Sequence, residues 1–402
     1  MNSRVFITGY GVITAIGNDG AENLASLFNQ RCGFGKLDIL ETVHRDTLPA
    51  CEIKKHDHEL CALAGVSEGA GFTRTALLGL IAVHEAVCSA ALSPEDIRHA
   101  GLISATTTGG IREFEKRFGD VQDLDKNVAS PAFLDTADPG EHAERLADAL
   151  GIRNYIGTVS TACSSSANAI MTGARLIRHG LLDRMICGGT DALSRLTLNG
   201  FYSLLILDKE HCRPFDENRG GLNLGEGAAY LVLESETALA RSGKKARAEL
   251  RGYANLNEAF HQTAPSPEGT GALRTMREAL KRGGLAPEAV EYVNAHGTGT
   301  ESNDLSEGTA LQSLFGQRVP PFSSTKPYTG HTMAAAGSIE AVFCLMALEH
   351  GVIFPNINFR KPMKELNIRP VTELKRGVVL THILSNSFGF GGGTASLLFS
   401  KC

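Results

Sequence analysis

Residues 158–170 read TVSTACSSSANAI, with one cysteine standing between a β-branched run and a run of small residues. Gly157 to Ser160 reads as the end of a buried strand. Ser164 to His179 reads as a helix whose Ala169, Ile170, Gly173, Ala174 and Ile177 are spaced to meet a core. Cys163 is thereby placed at a helix N-terminus, where unpaired backbone N–H groups and the positive end of the helix dipole favour a thiolate, the nucleophilic form. Ser164, Ser165, Ser166 and Ala167 carry little bulk, so a large group could approach the sulfur. For an isolated cysteine a buried structural thiol is the alternative. Two histidines farther along weigh against it.

Outward from this stretch, strand-like and helix-like segments alternate. Val5 to Thr8 reads as a short buried strand running into Gly9, Gly11 and Gly17, where backbone must turn or approach closely. The glycines lack the full dinucleotide-binding spacing. Residues 34–71 read as irregular loops over a site, with a charged patch at Lys54 to Glu59. The spacing predicts a helix over Arg74–Ala91, stopped by Ser93-Pro94, then a strand over Leu102–Thr107, a helix over Pro139–Leu150, and strands over Met185–Gly188 and Ala228–Glu234. A loop is expected around Phe201 to Arg219. After the charged run Arg241 to Lys245 a second round of similar order follows: strand Ala248–Tyr253, helix Ala272–Arg282, strand Ala289–Asn294, helices Ser302–Phe315 and Met333–His350, and strands near Ile383 and Ser396. The alternation indicates an α/β architecture with mixed sheets covered by helices, and the similar order suggests a duplication. The best boundary lies at 241–247.

The bulk composition narrows the function. With 402 residues, 43% of them hydrophobic, the chain can bury one large core or two fused ones. A formal charge of -5 and no dense Lys/Arg run argue against nucleic-acid binding. MNSRVFITGYGVITAIG runs directly into a strand-like segment with no signal-peptide pattern, and no stretch is read as long and apolar enough to span a bilayer, so a cytoplasmic location is expected. Nine scattered cysteines without C-x-x-C spacing speak for reduced thiols and against a structural zinc site.

Two further segments bring candidates to Cys163. YVNAHGTGTESND, Tyr292 to Asp304, reads as a strand ending at His296 and opening into a glycine-threonine loop. SSTKPYTGHTMAAAGS, Ser323 to Ser338, places Lys326 before His331 and a small-residue helix after it. A histidine at a helix start favours its neutral form, which can donate an N–H to a developing oxyanion.

TACSSS, RPFDENRGGLNLGEGAAYLVLE, HGTGTESND, KPYTGH and NSFGFGGG, in that order, resemble the elongating β-ketoacyl-acyl-carrier-protein synthases. The resemblance runs from ITGYGVIT at Ile7 to SFGFGGGTASLLF at Ser387 and so covers essentially the whole chain. It implies a thiolase-like fold of two similar halves, residues 1–243 with the nucleophile and 244–402 with the histidines and the lysine, forming a layered αβαβα core. It also implies a dimer, a homodimer or a pairing with a second synthase-like chain. The partner would be acyl carrier protein in its acyl and malonyl forms. No cofactor and no metal are implied, since the phosphopantetheine arm comes with the carrier.

Carried over residue by residue, the resemblance makes Cys163 the acyl acceptor, with His296 and His331 holding the malonyl thioester carbonyl during decarboxylation. Lys326 takes a structural and electrostatic role, with Glu307 as its ion-pair partner, and Asp304 supports the loop. Thr298 and Thr300 bind the phosphopantetheine arm. The N–H groups of Cys163 and Phe390 form an oxyanion hole for acyl transfer. Phe390 gates the acyl pocket, Phe201 is assigned to substrate binding, and Gly389 with Gly391 to Gly393 is expected to reach positive φ.

The sequence departs from the family pattern at Gly393-Thr394, where an asparagine is missing, and at Leu222-Asn223, where an aromatic is common; both bear on substrate choice. The triple serine after Cys163 is more frequent in polyketide-type members. A non-catalytic partner of the chain-length-factor kind would lose the nucleophile. A thiolase would carry a second cysteine near SNSFGFGGG, plant-type ketosynthases an asparagine at the place of His331, and a cysteine protease would leave Lys326 and the second histidine unexplained.

Overall fold

Along the strand Gly227–Ser235, Ala229, Leu231 and Leu233 enter one core while Ala228, Tyr230 and Val232 enter another. A strand sends successive side chains to opposite faces, so a strand apolar at both must lie between two layers. The computed structural model describes residues 4–123 and 132–402. Its strands are β1 (Val5–Thr14), β2 (Gly101–Ala105), β3 (Tyr155–Val159), β4 (Arg184–Asp191), β5 (Gly227–Ser235), β6 (Ala248–Asn257), β7 (Tyr292–Asn294), β8 (Phe322–Ser323), β9 (Val352–Ile353), β10 (Lys375–Arg376), β11 (His382–Gly389) and β12 (Gly393–Ser400).

β9 and β10 form a small ribbon, and the others run in the order β3-β2-β4-β5-β1-β6-β12-β11-β7-β8. From β1 outward the neighbours are antiparallel β5, antiparallel β4, parallel β2 and parallel β3. From β6 outward they are antiparallel β12, antiparallel β11, parallel β7 and parallel β8. Each side thus follows its own chain order as first, fifth, fourth, second, third. The two half-sheets join where Phe6 and Ile7 of β1 pair with Glu249 and Ala248 of β6.

The helix Ser165–Arg178 and the helix Ala336–His350 share one core with the inner faces of both half-sheets, through Ile170 and Ala174, Val342 and Met346, Leu231, and Leu397. The helices Arg74–Ser89 and Glu141–Leu150 cover the outer face of the first half-sheet, and Thr270–Gly283 and Glu301–Phe315 cover that of the second. Five layers, helix, sheet, helix pair, sheet, helix, result. This is the layered α/β fold expected.

Several local expectations change. β1 does not stop at Gly9 but runs ten residues, because the helix Arg74–Ser89 lies against it: a Cβ on Gly11 would stand 2.1 Å from the Ala82 carbonyl, and one on Gly9 2.4 Å from the Ala90 nitrogen. The segment 34–71 contains the helix Asp57–Ala64, capped by His56 and Glu59, and its Leu37, Leu40 and Leu48 pack with Leu222 and Leu224 beside the site. Phe201 lies in a helix, Arg195–Ser203, rather than a loop. Part of the expected strand 289–294 is a 3-10 turn at Pro287–Ala289. Met333–His350 is in fact long and apolar enough to cross a bilayer, but 89% of that stretch is buried, as an inner-layer helix demands.

A buried ion pair locks the approach to β5. Glu226 accepts Arg74 Nη2 at 2.6 Å and Nε at 3.0 Å, and takes the backbone N–H groups of Ile53 at 3.0 Å and Leu193 at 3.1 Å. Both side chains are fully buried, so removing Arg74 leaves the Glu226 carboxylate without its counter-charge in the core, whereas Arg74 without Glu226 keeps Asp57 Oδ1 at 3.0 Å. Arg74→Ala is expected to cost about 3–5 kcal/mol in urea unfolding, and Glu226→Ala less, because Asp57 remains as a counter-charge. Arg74→Met with Glu226→Leu should recover a large part of the loss.

Candidate active site

The turn between β3 and the helix Ser165–Arg178 has Ala162 at φ +51, a left-handed conformation that residues with a Cβ adopt rarely. It projects Cys163 from a sharp elbow, 6% exposed. The end of β11 presses against this elbow: a Cβ on Gly389 would stand 3.0 Å from the Thr161 carbonyl oxygen and 3.1 Å from the Cys163 nitrogen. Glycine at 389 is therefore what lets Phe390 come alongside the cysteine. Burial pushes the Cys163 thiol up to about 12; the Lys326 charge and the backbone N–H groups of Phe390 and Cys163 pull the other way and do not win. The thiolate expected from the helix terminus is thus not the resting form, because the sulfur is desolvated before the dipole can stabilise its charge.

The loop after β7 is held by carboxylates from the helix that follows it. Glu307 accepts the backbone N–H groups of His296 and Gly297, each at 2.9 Å, and Asn386 Nδ2 at 3.0 Å. Asp304 accepts those of Thr298 at 3.1 Å, Gly299 at 3.2 Å and Phe215 at 2.7 Å. Four successive N–H groups, 296 to 299, thus point at two buried acids. Burial outweighs these bonds and lifts Glu307 to about 7 and Asp304 above the usual carboxylate range.

Glu307 is not the ion-pair partner of Lys326. That partner is Glu340, at 2.5 Å, from the helix Ala336–His350. The helix brings Glu340 under the ammonium, whereas Glu307 is committed to the loop backbone. Lys326 Nζ also donates to the His296 carbonyl at 2.6 Å and to His296 Nδ1 at 3.2 Å.

These contacts set the tautomers. An ammonium has only donors, so His296 Nδ1 must be the acceptor and its proton sits on Nε2. The Met333 N–H donates to His331 Nδ1 at 3.3 Å, which puts the His331 proton on Nε2 as well. Burial first and the Lys326 charge second hold both rings well below the usual histidine range, so both are neutral N–H donors. Their ring centroids lie 5.5 Å apart. His331 is fixed through its backbone, which donates to Asn223 O at 2.8 Å and accepts from Gly225 at 3.0 Å. The turn after it is tied by Asp191, which accepts Ala334 N at 2.8 Å.

Cys163, His296 and His331 line one cleft of about 80 Å³ with Thr298, Thr300, Phe201, Leu222 and Phe390. Lys326, Glu307 and Asp304 stand behind its wall. The Phe201 and Phe390 rings stack at 5.8 Å, and the Thr298 and Thr300 hydroxyls bond each other at 2.9 Å. Of the glycines around Phe390 only Gly391 and Gly392 have positive φ; Gly389 and Gly393 belong to strands. Thr394 Oγ1 meets Thr275 Oγ1 at 2.6 Å, while Asn223 turns from the cleft and bonds the backbone of residues 208–212. Sequence reading missed Glu340 and Asp191. A lone carboxylate inside the apolar run AGSIEAVFCLMAL was a signal for the first; nothing local marked the second.

Residues 2–239 match the family model described as beta-ketoacyl synthase, N-terminal domain, and residues 247–360 match that for the C-terminal domain. The chain is similar to 3-oxoacyl-[acyl-carrier-protein] synthase 2 of Staphylococcus aureus strain N315, 34% identical over 100% of this chain and 99% of that one. Its structure is similar to the ishigamide ketosynthase/chain length factor, with TM-score 0.93, 30% identity and full coverage of both chains. It is also similar, with TM-score 0.89, 25% identity and full coverage of both, to a chain in a structure of a type II polyketide acyl-carrier protein bound to its ketosynthase.

A thiol pushed this high should be alkylated by iodoacetamide at a rate that climbs roughly tenfold per pH unit between about pH 7 and about pH 9. A plateau near pH 8 would belong to a resting thiolate. Side-chain ¹⁵N shifts of His296 and His331 should stay those of neutral, Nε2-protonated rings down to about pH 6, where exposed histidines protonate.

Proposed function

This chain belongs to the β-ketoacyl synthase family, and from that premise we propose how its residues share a decarboxylative Claisen condensation. The reaction joins an acyl group held on Cys163 to malonyl-acyl carrier protein and gives 3-oxoacyl-acyl carrier protein, in fatty-acid or polyene/polyketide assembly. In the first half-reaction Cys163 Sγ attacks the acyl thioester, the carbon–sulfur bond to pantetheine breaks, and the thiol proton ends on the departing sulfur. The N–H groups of Cys163 and Phe390 receive the oxyanion. In the second, malonyl thioester binds against Thr298 and Thr300 with its carbonyl oxygen between His296 Nε2 and His331 Nε2. Loss of carbon dioxide then builds an enolate that two neutral donors stabilise; its carbon attacks the acyl-cysteine carbonyl, the bond from that carbonyl carbon to Cys163 Sγ breaks, and the released sulfur takes up a proton as 3-oxoacyl-acyl carrier protein departs.

The observation that carries this reading is the pair of forced tautomers, since two Nε2–H groups in one buried cleft suit a developing oxyanion. Lys326 acts through His296 and not on substrate. No cofactor enters any step. A chain-length-factor role fits poorly with a cleft that retains Cys163, both histidines and Lys326.

The division at 243/244, with Cys163 in one half and His296, Lys326 and His331 in the other, is supported by the repeated strand order. A dimer is supported by β3, an edge strand whose Tyr155 and Ile156 are 37% and 40% exposed, which presents unpaired backbone and apolar side chains to a second copy or a related chain. A cytoplasmic location fits the free cysteines.

Cys163→Ala should abolish acyl loading with the fold intact, read by mass spectrometry of the protein after incubation with acyl-acyl carrier protein. His296→Ala and His331→Ala should each still load but lose malonyl decarboxylation by roughly 10²–10³-fold. Either variant failing first at loading would make that histidine the base for Cys163. Ile156→Asp should turn a dimer into a monomer in light scattering; an unchanged mass would put the interface elsewhere.

A further inference from the structure

An asparagine sits at position 168 in the second turn of the helix behind Cys163, 7% exposed, where its type is a poor helix former. Both ends of its amide are occupied. Its Oδ1 accepts Asn255 Nδ2 at 2.7 Å, and its Nδ2 donates to Thr161 Oγ1 at 2.8 Å and Ser164 Oγ at 3.4 Å. Ser164 Oγ donates in turn to the Thr161 carbonyl at 2.8 Å, while Ser165 Oγ accepts the Thr161 N–H at 2.7 Å and donates to the Ala162 carbonyl at 2.5 Å. Left-handed Ala162 lies in the middle of these bonds, and a strained residue persists only where its surroundings over-determine it.

The network has a direction. Ser164 Oγ spends its proton on the Thr161 carbonyl and so can only accept from Asn168, which turns the Asn168 NH₂ to the elbow and its carbonyl to the Asn255 NH₂. Asn255 lies on β6 opposite Ala395 of β12, and β12 begins at Gly393, three residues past Phe390. The bond therefore runs from the scaffold of Phe390, in the second half of the chain, to the elbow of Cys163, in the first. The two N–H groups assigned above to the acyl-transfer oxyanion come one from each of these parts. Thr161, which the brace grips, is also where the end of β11 touches the elbow.

We propose that Asn168 and Asn255 are positioning residues that hold the two halves of the oxyanion hole, Cys163 N–H and Phe390 N–H, at their working separation. The inference rests on the role given to those N–H groups in the proposed function. Neither asparagine touches substrate. What they set is a distance between two chain segments, and acyl transfer is sensitive to such a distance in a way that simple reactivity of the sulfur is not.

The test compares two reactions of the same thiol in the dimeric enzyme: single-turnover loading from acyl-acyl carrier protein, which needs the oxyanion hole, and alkylation by iodoacetamide, which does not. Asn255→Ala and Asn168→Ala should each lower the loading rate constant roughly tenfold. Alkylation should change by less than about threefold, and the thermal midpoint should fall only modestly, since in Asn168→Ala the better helix former offsets part of the lost hydrogen bonds. Asn255→Asp, which offers Asn168 an acceptor in place of a donor, should load no faster than Asn255→Ala, and the double alanine variant should be no slower than either single, as for groups acting as a unit. Loading within twofold of wild type overturns the proposal, as does a fall in loading matched by an equal fall in alkylation, which would make the pair a support for the thiol or the fold. Wild-type loading, abolished in Cys163→Ala, checks the underlying reading separately.

Discussion

The Lys326 ammonium, buried against the imidazole edge of His296, is the contact on which the cleft depends. An ammonium cannot accept a hydrogen bond, so its position leaves His296 one available tautomer, and its charge works with burial to keep both rings neutral. A lysine in such a place needs a counter-charge, and the inner helix Ala336–His350 supplies it as Glu340. One ion pair thereby joins the layer that forms the core to the residues that face substrate. Replacing its partner would not touch the substrate, yet would change what His296 can donate.

Around this pair, backbone groups are managed by side chains more than by regular structure. Glu307 and Asp304 gather the N–H groups of the histidine loop, Asp191 gathers that of Ala334, and the serine and asparagine side chains behind Cys163 clamp a left-handed alanine. Each is a buried polar group satisfied by several partners, the condition under which such groups add rigidity at tolerable cost. The result is a cleft whose reactive atoms come from the ends of β3, β7 and β11 and from the loop that runs from β8 to the inner helix, all meeting where the two half-sheets face one another.

That meeting also explains the thiol. A helix N-terminus in water would favour the thiolate, and Cys163 does precede such a terminus; but the second half-sheet closes over it through Gly389 and Phe390, and desolvation then dominates. The N–H groups that fail to ionise the free thiol are well placed for an oxyanion, whose charge appears only when substrate has taken the place of solvent.

Periodicity made most strands and helices legible, because strands buried on both faces and helices with one apolar stripe leave different spacings in the sequence. Motif order singled out Cys163, His296, His331 and Lys326 as candidates, and three of them line one cleft while the lysine bonds one of the rings. The end of β1 was misjudged because Gly9 and Gly11 serve a helix that packs from elsewhere, and the helix at Asp57 because charged residues mask a short amphipathic turn. The chain by itself determined the layered architecture and marked Cys163 and two histidines as the candidates for the site. Which carboxylate meets Lys326, which nitrogen of each ring carries the proton, and whether the thiol rests ionised were decided only when the two half-sheets closed on each other, because these depend on distances between residues far apart in sequence and on the water that closure removes.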